Sequence, residues 1–229
     1  MSTPPEFSPW LGVFETVRVI DGKPLFFAWH RAEMVRAMEA LGLESETDLD
    51  AEAAKLPAKS GRWRWIVTRE GTRTLFTEEP PMSAEPVRLS VSPVRVGSYN
   101  WDARFKTVSY LAHAQAASLA EGGEAVLLNE AGEVASASRS NIFWVHGGKL
   151  YTPAHEVGCR CGVVRRFVIE SQPVEQGGFS LRVLLEADEI FLTNSMRGIV
   201  PVREIGDRRL ASYPVAGALR ELYDSTIAR

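Results

Sequence analysis

The chain has 229 residues, enough for one large domain or two small ones around separate cores. It is 45% hydrophobic and 24% charged with a net charge of -3, so no basic field draws it to nucleic acid or an anionic membrane. No stretch is apolar for long enough to span a bilayer, and the leading MSTPPEFSPW lacks a secretory pattern, so a cytoplasmic location is expected. Cys159 and Cys161 are one residue apart, too close for an unstrained bridge, and read as reduced thiols. With four scattered histidines and a lone C-x-C, no metal site is expected.

In chain order, GVFETVRVI (Gly12 to Ile20) predicts a strand with Val13, Glu15, Val17 and Val19 on one face. Asp21-Gly22 signals a turn, and Lys23 to Phe26 a returning strand. A helix is predicted from Ala28 to Leu41, with Met34, Met38 and Leu41 as its apolar stripe and Gly42 as its stop. A weaker helix ends near Leu56. Arg62 to Thr68 and Thr72 to Thr77 then form a hairpin, with Trp63 and Trp65 on its core face, and Val87 to Val94 is a further strand. Residues 1–95 therefore read as an α+β unit with mostly antiparallel pairing. Residues 96–105 lie in an irregular Pro/Gly/Ser/Asn stretch and read as an interdomain linker. Residues 106–229 follow as a second domain. In it Tyr110 to Leu119, Val163 to Glu170 and Val215 to Ala228 are helical, and Ala125 to Leu128, Asn141 to Val145, Glu189 to Thr193 and Ile199 to Ile205 are strands.

Four segments in this order carry a resemblance: FETVRVIDGKPLFFAWHRAEMVRAMEALGL; the block from KTVSYLAHAQ to SNIFWVHGGKLYTP; GCRCGVVRR; and EIFLTNSMRGIVPVREI. Together they resemble the class IV aminotransferases and aminodeoxychorismate lyases, the fold-type-IV enzymes of pyridoxal 5'-phosphate (PLP). The resemblance implies a small N-terminal α/β domain, a larger C-terminal pseudo-barrel domain, PLP in the cleft between them, a small amino-carboxylate substrate and a homodimer.

It also assigns residues. Lys106 is the lysine that would bind PLP covalently and shuttle a proton at Cα; the bland alternative is a solvated surface lysine. Tyr110 matches the family tyrosine, or is a core aromatic. Gly162, Val163 and Val164 match a phosphate cup at a helix start, where free N–H groups favour an anion, and Arg165 follows the cup. Thr193, Asn194 and Ser195 match a segment that lines the site, or form a plain turn. Arg104, Arg139 and Arg197 are candidates for the substrate carboxylate.

Two departures stand out. Ser136 replaces the glutamate that holds the pyridine nitrogen protonated. Glu133 cannot substitute, being about 10 Å away along a strand and on the opposite face. Trp29 replaces an arginine that commonly contacts the phosphate; Arg160 is expected to supply the lost charge, and His30 to pack the helix. A serine hydroxyl can bond a neutral ring nitrogen but cannot keep it charged, so the ring is a weaker electron sink. Elimination tolerates this better than transamination, because a leaving group departs. The balance favours an aminodeoxychorismate lyase-like enzyme over a branched-chain or D-amino-acid type aminotransferase. A third reading is a non-catalytic member with a degenerate PLP site.

Overall fold

The computed structural model describes residues 11–228. The leading segment read for a signal lies outside them, as does Trp10. Two compact units result. The first gathers the chain up to Met82 together with Phe105–Tyr110; the second gathers Ser83–Arg104 and Leu111–Arg229.

The first unit is a four-stranded antiparallel sheet with one long helix. Its elements are β1 (Gly12–Ile20), β2 (Lys23–Pro24), α1 (Phe27–Leu41), α2 (Leu49–Ala53), β3 (Gly61–Thr68) and β4 (Gly71–Glu78), with strand order β2-β1-β3-β4. The alternation in GVFETVRVI works as the pleat requires: Val13, Val17 and Val19 pack with Trp63, Trp65 and Val67 of β3 and with Met34, Ala37 and Leu41 of α1. The returning strand is only two residues long. Pro24 has no N–H to extend the ladder, and Phe26 turns the backbone left-handed (φ 50°) into α1. Gly42 ends α1 at φ 62°, a value natural to glycine.

The second unit carries β5 (Val87–Val96), α3 (Trp101–Arg104), α4 (Leu111–Ser118), β6 (Glu124–Asn129), β7 (Val134–Ala137), β8 (Asn141–His146), β9 (Lys149–Pro153), α5 (Val163–Ser171), β10 (Glu175–Gly177), α6 (Leu181–Leu185), β11 (Glu189–Asn194), β12 (Gly198–Ile205), β13 (Arg208–Arg209) and α7 (Pro214–Ile227). The sheet order is β10-β9-β8-β11-β12-β5-β6-β7, with β13 on β12, and it curls so that β7 comes beside β8 and β9. Its interior is apolar, built from Val126, Ile142, Trp144, Ile190, Leu192 and Val200 among others. The stretch expected to be irregular is partly regular: β5 continues to Val96 through Pro93, and α3 follows. A register shift between Val91 and Arg95 accommodates the proline, which cannot donate to the ladder. At the other end, the Glu189 carboxylate accepts from the backbone N–H groups of Val215 and Ala216, and so caps the first turn of α7. No helix of the described residues is long and apolar enough to cross a membrane.

Candidate active site

Lys106 belongs to the first unit. Its segment lies along the free edge of β1: Phe14 N–H donates to Lys106 O (2.8 Å), Val108 N–H donates to Gly12 O (2.9 Å), and Thr107 bridges Val13. The Lys106 amine stands 3.4 Å from Glu15 Oε2. The same carboxylate oxygen accepts from His30 Nδ1 at 2.8 Å and from the Thr16 N–H at 3.1 Å. Burial alone would raise the Glu15 carboxyl. The Lys106 charge and the His30 and Thr16 hydrogen bonds outweigh it and hold the pKa at about 2. Glu15 is therefore an anion at neutral pH, wedged between a histidine and the lysine. His30, expected only to pack α1, also holds this anion in place. The signal was readable: an acid on the valine face of β1 needs a partner.

On the opposite face of the sheet, Tyr110 meets Phe14 edge-to-face (5.6 Å) and the Arg64 guanidinium lies over the Phe14 ring (5.4 Å). Arg64 Nε is buried without a hydrogen-bond partner, and desolvation depresses its pKa. Arg64 was missed from the sequence. The pattern Arg62-Trp63-Arg64-Trp65 shows it, since β alternation sends the arginines opposite the buried tryptophans. Arg62 pairs with Glu79.

The second unit holds the other assigned residues. Gly162 begins α5 in an extended conformation with no side-chain cap, which leaves the first-turn N–H groups at Val163 and Val164 for an outside acceptor. A Cβ on Gly162 would sit 2.1 Å from Asn141 Oδ1. Asn141 is itself fixed by donating to Arg160 O (2.8 Å). Gly162→Ala should therefore cost about 1–3 kcal/mol, read as a lowered urea midpoint; an unchanged midpoint would mean that Asn141 yields freely.

Ser136 and Thr193 lie on β7 and β11, both buried, and neither hydroxyl has a protein partner. Glu133 turns to Asn129 Nδ2 (2.8 Å). Asn194 caps the β11–β12 turn by accepting from Met196 and Arg197 N–H, and Ser195 lies within that turn. Arg165 is buried and donates to Pro153 O and Gln176 Oε1, tying α5 to β9 and β10. Arg160 donates to Asp102 O (2.8 Å) and lies against the His113 ring, whose pKa burial and then the Arg160 charge lower to about 2. Its guanidinium is thus engaged with α3 and α4. Arg104 donates to His155 Nε2, Arg139 to Gly123 O, and Arg197 to Ser83 O and Glu85 O.

The family model for amino-transferase class IV matches residues 12–205, most of the chain. The chain belongs to the amino-transferase class IV family. Members of this family are PLP-dependent enzymes, and this one is 28% identical over 251 residues to an aminodeoxychorismate lyase of Bacillus subtilis, covering 95% of this chain and 86% of that one. Solved structures agree on the fold. A branched-chain aminotransferase of Thermoproteus uzoniensis superposes with a TM-score of 0.84 at 23% identity, covering 95% of this chain and 85% of that one. An aminotransferase of Brucella abortus bound to PLP gives 0.82 at 22% identity, covering 95% and 89%.

The class IV residues present here fit PLP. Two buried hydroxyls await polar partners, α5 offers uncapped N–H groups, and Lys106 is held by an ionised carboxylate.

Proposed function

We propose that this class IV enzyme is a PLP-dependent lyase acting on an amino-carboxylate of the aminodeoxychorismate type. The observation that carries the lyase reading is Ser136: a buried, unpartnered hydroxyl where the resemblance places a carboxylate. When bound, PLP supplies an electron sink for the pair left when a proton leaves the substrate.

In this reading Lys106 holds the cofactor covalently and carries the proton to and from the substrate. Glu15 orients the Lys106 amine, and His30 fixes Glu15. The N–H groups of Val163 and Val164 hold the phosphate at the α5 dipole, where Gly162 keeps the approach open. Ser136 would bond the ring nitrogen without charging it, leaving a weaker electron sink that favours a substrate able to expel a leaving group. Tyr110 and Thr193 would be further hydroxyl contacts for the cofactor.

For the substrate carboxylate we assign Arg64 in place of Arg104, Arg139 and Arg197. Those three guanidiniums donate within the second unit, whereas Arg64 has a buried Nε with no hydrogen-bond partner. Arg64→Gln should raise KM about ten- to a hundredfold, in line with about 1.5–3 kcal/mol for a hydrogen bond to a charged group; an unchanged KM removes Arg64 from this role.

An aminotransferase is the second reading, supported by the structural likeness to that of Thermoproteus uzoniensis. The deciding experiment supplies the PLP-loaded protein with aminodeoxychorismate in one arm, and with D- or branched-chain amino donors plus a keto acid in the other. Pyruvate and 4-aminobenzoate in the first arm alone support the lyase; amino-group exchange without pyruvate release overturns it. We further propose a cytoplasmic homodimer, from the charge balance and the resemblance. Sedimentation at the monomer mass would overturn the dimer.

A further inference from the structure

The two cysteines have different surroundings. Cys159 is buried, its Sγ lies 3.5 Å from Arg160 O, and burial raises its pKa, which marks an inert thiol. Cys161 is half-buried and stands immediately before Gly162 and α5. Its Sγ lies 3.6 Å from His155 Nδ1. The other ring nitrogen, His155 Nε2, faces Arg104 Nε at 3.2 Å. A guanidinium N–H can only donate, so Nε2 accepts and the ring proton resides on Nδ1. That N–H points at Cys159 O (2.7 Å) and at the Cys161 sulfur. The sulfur is thus an acceptor, facing an imidazole polarised by an arginine.

Cationic side chains act on this stretch: Arg104 through His155, and Arg160 and Arg165 on the neighbouring Cys159. Glu156, beside His155, points to solvent. Cations, an N–H donor and a helix N-terminus all favour thiolate over thiol.

We propose that Cys161 is a reactive thiolate, a modification site for hydroperoxides and soft electrophiles, set by the Arg104–His155 pair. With a hydroperoxide, the sulfur attacks one peroxide oxygen and the O–O bond breaks. The departing hydroxide or alkoxide takes the proton of the transferred hydroxyl and leaves as water or an alcohol. Sulfur loses two electrons to become a sulfenate, and the peroxide is reduced. The new anion sits two residues ahead of Val163, the first of the donors that, on the reading above, hold the cofactor phosphate, so modification and phosphate binding oppose each other.

The test follows iodoacetamide alkylation of the full-length protein against pH, resolved by peptide mass spectrometry. Cys161 should reach its half-maximal rate below about pH 7.5, against about 8.5 for an ordinary thiol, while native Cys159 stays unlabelled. Arg104→Gln should move the Cys161 midpoint upward. Hydrogen peroxide should give a dimedone-trappable sulfenate at Cys161. A Cys161 midpoint near 8.5 or above, or one unmoved by Arg104→Gln, overturns the proposal. Inorganic phosphate supplies a separate arm: slowed alkylation supports the opposition between modification and phosphate. A lowered midpoint without such protection keeps the reactive thiol and overturns the phosphate assignment at Gly162.

Discussion

Lys106→Ala should abolish covalent capture of PLP. With wild-type protein and PLP, borohydride should fix one cofactor per chain on the peptide containing Lys106; with the variant it should fix none there. Turnover should fall by at least about 10²–10⁴-fold, the range for loss of a positioned acid–base group alone. The argument starts from the backbone. The Phe105–Val108 segment hydrogen-bonds to β1, so the lysine stem leaves a fixed ladder, and Glu15 then holds the amine from one side. Lys106→Arg keeps the charge beside Glu15 but cannot take the cofactor, and should be as inactive as the alanine variant while staying more stable. Capture at another lysine in wild-type protein would remove Lys106 from the mechanism and leave the degenerate-site reading in its place.

The second large effect concerns Glu15. A carboxyl ordinarily near 4.5 and held at about 2 in the folded chain stabilises the fold by on the order of 3 kcal/mol at neutral pH. The folded pKa is the lower one. The contribution is therefore complete above about pH 4.5 and is lost as pH falls through 4.5 towards 2. Urea melts of the cofactor-free protein should show this loss between pH 5 and 2, and Glu15→Gln should flatten that part of the profile while lowering stability at pH 7 by a similar amount. Parallel profiles for wild type and variant would refute the coupling. At neutral pH the variant also leaves His30 and the Lys106 cation without their anion, and an uncompensated buried group is costly.

Much of the fold was legible because local pattern and tertiary packing agree. The valine face of β1, the apolar stripe of α1 and the glycine after it each specify one structure. The stretch after Val94 misled because its Gly, Ser and Asn read as an interruption, whereas β5 runs on to Val96 and α3 follows. The site was legible by position more than by partner. Lys106, Gly162 and Ser136 stand out as residues, but only three-dimensional packing shows that Arg160 turns to Asp102 and His113, that Arg165 braces β9 and β10, and that Arg64 is desolvated with its Nε unbonded. Side-chain direction at the end of a long arginine is set by neighbours distant in sequence, which no local period encodes.

The lysine-bearing segment completes the edge of a sheet whose other strands were all made before Met82. During synthesis on the ribosome, β1 thus emerges with Gly12 and Phe14 unpaired on that side, and stays so while β5 and α3, which belong to the other unit, are threaded out. A fragment truncated at Met82 would keep this raw edge permanently, and an unpaired strand edge invites association with other chains. The nascent N-terminal unit is thus exposed to misassembly until the ribosome has passed Tyr110, and the stretch that closes the sheet is the one that delivers Lys106.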